Sequence, residues 1–229
     1  MSHSSVIKFG REVLRPEDVR GRSVIEVGSL DVNGSLRRYI EADQPGSYLG
    51  VDIISGPGVD EVCDAGDLVA RFGSERFEVV VTTEMMEHVR DWRRVVSNLK
   101  QVLRPGGLLV LTTRSLGFPY HGFPHDFWRY EVADMRAIFA DFTIDDLRPD
   151  PDQTGVFLRA RKPLDFREAD LSQLALHSMV KGRRLLGTDE ASVGRPWWSG
   201  PVHLLRRSGV FGMIPGSFKI RVQKYLGIR

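Results

Sequence analysis

The sequence predicts an α/β protein with a doubly wound, mostly parallel sheet of seven strands, followed by a C-terminal extension. Short runs of β-branched and apolar residues alternate with helical stretches between residues 23 and 139. A turn containing glycine directly follows the first run, and two more apolar runs come after the last helical stretch. The alternation implies right-handed crossovers that leave helices on both faces of the sheet.

The predicted elements follow one another with short connections. Strands of the parallel part are expected over residues 23–27, 48–53, 61–64, 77–82 and 108–113. Helices are expected over residues 35–42, 92–103 and 131–139. Residues 142–147 and 155–161 flank the turn Pro149-Asp150-Pro151-Asp152 and predict an antiparallel hairpin. Ligands bind beyond the carboxyl ends of the strands in such sheets, so the loops at that edge hold the candidate site.

The composition is that of an ordinary globular protein. The 229 residues are 41% hydrophobic and 27% charged, which is enough for one sizeable domain. A single cysteine, Cys63, excludes an internal disulfide and a cysteine-rich metal centre. The apolar runs are far shorter than the roughly 20 residues of a membrane-spanning helix, and residues 1–10 lack the pattern of a signal peptide. We therefore expect a soluble, cytoplasmic protein.

Charge is unevenly distributed along the chain. Residues 162–229 carry a net charge of +7 and residues 1–161 a net charge of −5, which together give the +2 of the whole chain. The chain is therefore divided into an acidic domain, 1–161, and a basic extension, 162–229. We expect the extension to cover the substrate pocket, to form a homodimer contact, or to lie peripherally on an anionic membrane. The sequence contains no recognised RNA- or DNA-binding module, so no nucleic-acid partner is expected.

Three features of the ligand edge indicate a nucleotide-like cofactor. Gly28 and Gly34 flank the turn after the first strand, where a residue without Cβ lets the backbone approach a ligand. This turn lacks the Lys-Ser/Thr ending of a phosphate loop and the GxGxxG of a dinucleotide fold, which disfavours an NAD-dependent oxidoreductase. Asp52 ends the second strand 24 positions after Gly28, where a carboxylate can accept from ribose hydroxyls. Asp64, followed by Ala65, ends the third strand, where it can accept from the exocyclic amine of adenine.

Five motifs occur in a characteristic order within residues 20–161: VIEVG, GVDI, VCDA, VVVTTEMMEHV and LRPGGLLVLTT. Together they resemble the class I S-adenosylmethionine-dependent methyltransferases, in particular the small-molecule, methyltransferase type 11-like branch. The resemblance implies a Rossmann-like methyltransferase fold and S-adenosyl-L-methionine as the cofactor. It also implies methyl transfer to a hydroxyl or amine of a small molecule, such as a sugar-containing or secondary metabolite. The sequence departs from the family pattern where a longer turn, Gly28 to Gly34, replaces the usual compact glycine cluster.

The resemblance implies roles for individual residues at the cofactor site. Glu26 and Gly28 are expected on the methionine side of the cofactor, and Ile53 against adenine. The full set implied in this way is Glu26, Gly28, Ser29, Leu30, Gly34, Asp52, Ile53, Asp64, Ala65, Thr82, Thr83 and Glu84. Glu87 and His88 belong to the same motif, and for His88 both a role in the site and a packing role at a helix cap are open.

The loop over residues 114–130 follows the fifth strand at the ligand edge and is rich in aromatic residues and histidine. It is predicted to form the substrate wall, with contacts from Tyr120, His121, Phe123, His125, Trp128 and Tyr130. His125 or His121 is the candidate general base, because a histidine with a pKa near 6.5 can take a proton from a hydroxyl or amine. In the alternative interpretation Asp126 caps the next helix and Arg129 pairs with an acid, so that this segment fixes the loop.

No metal site is predicted. The side chains of His121, His125 and Asp126 are of metal-ligand types, but Gly122 and Pro124 prevent the continuous helix that would put both imidazoles on one face. Methyl transfer also needs little acid–base chemistry, since alignment contributes roughly 7–11 kcal/mol against about 3–6 kcal/mol for a general base. The competing functional hypothesis is a catalytically inactive nucleotide-binding partner or scaffold protein of the same fold.

Overall fold

A seven-stranded sheet forms the centre of the molecule and confirms the predicted doubly wound α/β fold. The computed structural model describes residues 4–32, 34–122 and 125–187. The strands in this part of the chain are β1 Ser23–Val27, β2 Ser47–Asp52, β3 Glu61–Val62, β4 Phe77–Thr83, β5 Leu103–Arg114, β6 Trp128–Arg129, β7 Thr143–Pro149, β8 Gly155–Arg161, β9 Leu176–Ser178 and β10 Arg183–Leu185. The order in the large sheet is β3-β2-β1-β4-β5-β8-β7. Neighbours from β3 to β5 pair in parallel, whereas β8 is antiparallel to both β5 and β7.

Helices cover both faces of this sheet. They are α1 Ser4–Val13, α2 Pro16–Val19, α3 Arg37–Ala42, α4 Leu68–Phe72, α5 Trp92–Val102 and α6 Val132–Ile138, with short 3-10 turns at Ala65–Asp67 and Met86–His88. Alternate residues of a strand face opposite layers, so Val79 and Val81 of β4 pack with α1 and α3, and Val80 packs with α4, α5 and α6. Within the described ranges, no helix is both long enough and apolar enough to cross a bilayer.

Helices α1 and α2 precede the strand–helix alternation and are not predicted. Val6, Phe9 and Val13 recur at helical spacing in α1, and all three are buried. Phe9 stacks on Phe157 of β8 with ring centroids 4.5 Å apart. The apolar spacing is the sequence signal for α1, which packs against β5 and β8.

The LRPGG motif lies within β5 and not ahead of it. Leu103 and Leu108 both pair with β4, and residues 104–107 between them interrupt the regular register. Gly106 has a φ of +76°, which favours glycine, and its N–H donates to Lys162 O at 2.8 Å. β5 therefore starts earlier than predicted, because Leu103 and Leu108, on either side of residues 104–107, both pair with β4. The other predicted strands and helices are confirmed, with ends within two residues of those expected.

Residues beyond 161 add a second sheet, with three antiparallel strands, that is not predicted. β9 pairs with β10 and with β6, and β6 lies inside the segment expected to be an irregular loop. Leu176 of β9 is fully buried in the same core as α5 and α6. Residues 162–187 thus pack on the predicted domain, while residues 188–229 of the predicted extension lie outside the described residues.

Candidate functional site

A cavity of about 1110 Å³ opens at the carboxyl ends of β1, β2 and β4. Residues predicted at a cofactor site that line it are Glu26, Gly28, Ser29, Leu30, Gly34, Asp52, Ile53, Asp64, Ala65, Thr83 and Glu84. Thr82, whose backbone is expected beside the cofactor, is fully buried within β4 and does not line the cavity, whereas Thr83 does. Adjacent residues of a strand point to opposite faces, so Thr83 and Thr82 cannot face one ligand with both side chains.

The turn after β1 is held by its backbone geometry. Gly28 has a φ of +79°, and its N–H donates to Val51 O of β2 at 2.9 Å. A Cβ atom at Gly28 would lie 2.7 Å from the side chain of Met85, which itself lines the cavity. Gly28 therefore makes room for Met85, a requirement that the sequence does not reveal.

Two carboxylates at the rim are tied to the surrounding backbone. Asp52 Oδ2 accepts from the Leu30 N–H at 3.3 Å, and Asp64 Oδ1 accepts from the Gly66 N–H at 2.7 Å. A carboxylate has about four lone-pair sites, so both groups retain capacity for a ligand. Ile53, beside Asp52, is 53% exposed. The rim thus combines hydrogen-bond acceptors with an apolar surface, as a nucleoside requires.

Glu26 is a buried carboxyl in the cavity wall, only 2% exposed. The Tyr48 hydroxyl donates to its Oε2. Burial raises the pKa of Glu26 to about 7, against the lowering effects of that hydrogen bond and of the Arg37 guanidinium. At neutral pH this carboxyl is therefore divided between its neutral and ionised forms, and a bound cation would favour the ionised form.

Glu84 links the end of β4 to the loop after β5. It has a φ of +55°, an uncommon backbone conformation for a residue other than glycine. Its Oε1 accepts from the Thr112 hydroxyl at 2.9 Å, and its Oε2 forms an ion pair with Arg114. Burial and the charge of Glu87 raise the pKa of Glu84 to about 7. The Arg114 guanidinium in turn lies over the Phe118 ring, 4.0 Å from its centroid.

Glu87, His88 and His121 form what we call the Glu–His–His cluster. Glu87 is fully buried, and its Oε2 accepts from the Thr113 hydroxyl at 2.9 Å. Its Oε1 lies 3.5 Å from His121 Nε2 and 3.9 Å from His88 Nε2. The two imidazoles meet edge to face with centroids 4.8 Å apart, and both line the cavity. His88 thus lines the cavity and does not only pack at a helix cap.

The pKa values of His121 and Glu87 are shifted in opposite directions within the cluster. Burial lowers the pKa of His121, but the neighbouring Asp126 and Glu87 carboxylates raise it overall to about 9. Burial raises the pKa of Glu87, but the His121 and His88 imidazoles hold it well below its usual range. With this pKa, His121 is mainly protonated at pH 7 and presents a cationic donor to the cavity. Of the two predicted general bases, His125 is therefore favoured over His121.

Asp126 and Arg129 form a fully buried ion pair behind the loop. Arg129 Nη2 donates to Asp126 Oδ2 at 2.7 Å and to Pro119 O at 3.0 Å. The same Asp126 Oδ2 accepts from the His121 N–H at 3.0 Å and lies 3.0 Å from His121 Nδ1. The pair therefore fixes the loop, as in the alternative interpretation. Asp126 caps no helix, however, since Glu131 is the N-cap residue of α6.

The predicted substrate wall is only partly at the cavity. Its members that line the cavity are Tyr120, His121 and His125. Trp128 and Tyr130 are fully buried and outside the lining, which corrects both predictions. Trp128 Nε1 donates to Arg90 O and the Tyr130 hydroxyl to Met86 O, each at 3.1 Å, so both side chains pack the loop onto the segment after β4. Phe123 lies outside the described residues.

Other cavity residues are missing from the predicted set, among them Met85, Arg90, Arg94, Phe118 and Phe127. Phe118 and Phe127 belong to the aromatic loop, whose composition is a usable signal. Arg94 is on α5 and donates through Nε to Gly66 O at 3.0 Å. It carries no motif, because only the packing of α5 against the residues after β3 brings it to the cavity.

Comparison with known proteins gives a family and several relatives. Residues 5–148 match the family model described as a methyltransferase domain. A ubiquinone biosynthesis O-methyltransferase of Parvibaculum lavamentivorans is 34% identical over 68 residues, which cover 30% of this chain and 26% of that protein. The match thus spans about a quarter of the length of that relative.

Solved structures share the fold at low identity. A methyltransferase dependent on S-adenosylmethionine from Mesorhizobium loti superposes with a TM-score of 0.56 and 16% identity, over 70% of this chain and 99% of that one. The Burkholderia thailandensis 1,6-didemethyltoxoflavin-N1-methyltransferase, with bound 1,6-didemethyltoxoflavin and S-adenosylhomocysteine, gives a TM-score of 0.53 and 16% identity, over 70% and 79%.

Proposed function

Because the chain belongs to the methyltransferase domain family, we propose that it transfers a methyl group from S-adenosyl-L-methionine to a hydroxyl or amine of a small molecule. S-Adenosyl-L-methionine is the cofactor of this class, and the resemblance seen in the sequence is confirmed. When bound, the cofactor supplies a methyl group already activated by its sulfonium. The observation that carries the proposal is one cavity in which a nucleoside-type rim continues into a half lined by histidine and aromatic residues.

The residues of the cofactor half fit this group. Asp52 offers carboxylate oxygens to a ribose diol, Asp64 offers them to an adenine amine, and Ile53 offers an apolar surface to the base. Glu26, partly ionised at neutral pH, favours the positive charge of the methionine end. Ser29 Oγ is buried without a hydrogen-bond partner among the described residues, as expected of a group that meets a ligand.

The acceptor half of the cavity is lined by His88, His121, His125, Phe118, Tyr120 and Phe127. Aromatic faces suit the ring of a sugar or of a planar secondary metabolite, which supports that acceptor class. Protonated His121 would stabilise negative charge on an acceptor oxygen. His125, which also lines the cavity, remains our proposed proton acceptor.

Positioning is proposed to supply most of the rate enhancement. Two buried ion pairs hold the parts that must align: Glu84 with Arg114 on the cofactor side, and Asp126 with Arg129 on the acceptor side. Holding the reacting atoms in line can be worth roughly 7–11 kcal/mol, more than a single proton transfer contributes. The two buried ion pairs thus contribute to the rate through alignment, whether or not a residue takes a proton from the acceptor.

The proposal is tested with the full chain. Calorimetry should detect binding of S-adenosylmethionine and S-adenosylhomocysteine, and a methyl-labelled cofactor should label members of a panel of hydroxyl and amine compounds. His125→Gln should retain cofactor binding and lose about 10²-fold or more in turnover, whereas His177→Gln, on β9 outside the cavity lining, should not. Absence of cofactor binding contradicts the whole proposal. Binding without transfer to any compound supports the inactive nucleotide-binding protein instead.

The basic extension is proposed to cover the pocket, to form a homodimer contact, or to contact a membrane surface. The pairing of β9 with β6, which lies near the end of the acceptor loop over residues 114–130, supports the first of these roles. Liposome flotation of the full chain and of a chain ending at residue 187 tests the membrane role. If both chains fail to float, that role is excluded.

A further inference from the structure

We propose that the Glu–His–His cluster is a binding site for a divalent transition-metal ion such as Zn²⁺. The ligand atoms would be Glu87 Oε1, His88 Nε2 and His121 Nε2. This set differs from the one considered in the sequence, because it excludes the side chains of His125 and Asp126. The site is argued from the cluster itself, and only its role in catalysis rests on the proposed function.

The distances between the three atoms fit one shared ion. One such atom from each residue lies within 4.8 Å of the others, with separations from Glu87 Oε1 of 3.5 Å to His121 and 3.9 Å to His88. Nitrogen and oxygen ligands about 2.1 Å from a tetrahedral ion are roughly 3.4 Å apart. The two distances from Glu87 Oε1 are within about 0.5 Å of that value, and rotation of the imidazole rings would bring their nitrogens, which lie within 4.8 Å of each other, around an ion.

The Nδ1 atoms of His88 and His121 each have an oxygen acceptor nearby, as in histidines that bind a metal through Nε2. His88 Nδ1 is 2.6 Å from His125 O, and since a carbonyl can only accept, Nδ1 carries the proton. This leaves the Nε2 lone pair of His88 directed at the cluster. His121 Nδ1 lies 3.0 Å from Asp126 Oδ2, and Asp126 is itself held by Arg129. A carboxylate or carbonyl behind each ligating histidine is the usual outer arrangement of a metal site.

Glu87 provides the independent observation. Its carboxylate is fully buried, and Oε2 is satisfied by the Thr113 hydroxyl. Oε1 receives no hydrogen bond of acceptable geometry from any described residue. The His121 imidazolium, 3.5 Å away, offsets the charge of Oε1 but does not form a well-aligned hydrogen bond with it, so this buried oxygen keeps capacity for a further cation. A metal ion between Oε1 and the two imidazoles would satisfy it and displace the proton from His121.

The cluster also leaves room for a substrate atom. His88 and His121 line the acceptor half of the cavity, so a fourth ligand position would face the substrate. Within the proposed function, a hydroxyl bound there would lose its proton more readily, because a metal ion lowers the pKa of a coordinated oxygen. The metal would thus take over the role assigned above to the His121 cation.

Metal binding is tested on the full chain after removal of metals by a chelator. In a titration with Co²⁺, the visible absorption should saturate at one equivalent of metal, with the intensity of a four- or five-coordinate site. Calorimetry should show one equivalent of bound Zn²⁺. Glu87→Gln, His88→Gln and His121→Gln should each weaken metal binding at least 100-fold. His125→Gln should bind as the parent does, because it keeps the backbone carbonyl used by His88.

The controls separate this proposal from the proposed function. His177→Gln shows whether a histidine outside the cluster contributes to metal binding. Circular dichroism and binding of S-adenosylhomocysteine show that each variant is folded. Binding of less than one equivalent, or equal binding by parent and cluster variants, overturns the metal site whatever the methyltransferase activity. Failure to bind S-adenosylmethionine overturns the proposed function but leaves the Co²⁺ titration readable.

Discussion

Gly28 and Met85 lie against each other at the ends of β1 and β4, with no space between them for a Cβ atom on Gly28. Each belongs to a different wall segment of the cavity, the first to the turn after β1 and the second to the segment after β4. This contact therefore joins two walls of the cavity.

Substitution Gly28→Ala is expected to destabilise the fold and weaken cofactor binding. The φ of +79° costs an L residue about 1 kcal/mol, and the added methyl group must displace Met85 at a further cost of about 1–3 kcal/mol. Urea unfolding measures the sum. Gly21→Ala is the matched control, since Gly21 has a φ of +69° but nothing within 4 Å of its Cβ position. Equal losses in the two variants would show that Met85 contributes nothing.

Substitution Glu26→Gln should change how stability depends on pH. The pKa of Glu26 is raised in the folded state from 4.5 to about 7. Its stabilising contribution is therefore fully present below pH 4.5 and is lost as the pH rises through 7. Relative to Glu26→Gln, the parent should lose up to about 3 kcal/mol of unfolding free energy across that range. Urea unfolding at several pH values tests this, and parallel pH profiles would contradict it.

Substitution Asp126→Asn should be strongly destabilising, because it leaves the Arg129 guanidinium buried beside a neutral amide. Breaking a buried ion pair in this way costs about 3–5 kcal/mol. Thermal unfolding should report a fall of more than about 6 °C. Asp152→Asn, at an exposed position in the turn between β7 and β8, is the control and should change little. A small effect at Asp126 would mean that the loop is fixed by other contacts.

Substitution Leu176→Ala tests whether β9 belongs to the folded domain. Leu176 is fully buried, so its truncation should cost about 2–5 kcal/mol of unfolding free energy. Leu186→Ala, at a side chain that is 48% exposed, should cost less than about 0.5 kcal/mol. Chemical denaturation of both variants distinguishes them. Similar small effects would indicate that β9 unfolds separately from the sheet.

The sequence by itself determined the large sheet and the order of its motifs. Strands and helices such as β1 and α5 are encoded locally, by runs of apolar residues and by spacing that repeats every two or nearly four positions. Asp52 and Asp64 could be placed at the ligand edge for the same reason, since the carboxyl ends of parallel strands share one edge.

Only the tertiary structure decided which side chains of the acceptor loop face the cavity. Trp128 and Tyr130 are buried against the segment after β4, to which both side chains donate, and Trp128 also pairs with β9 from beyond residue 161. The charge of His121 was equally hidden, because burial lowers its pKa while Asp126, in the same loop, and Glu87, 34 positions away in the chain, raise it. Local patterns encode elements of structure, whereas burial and charge depend on the neighbours that folding brings together.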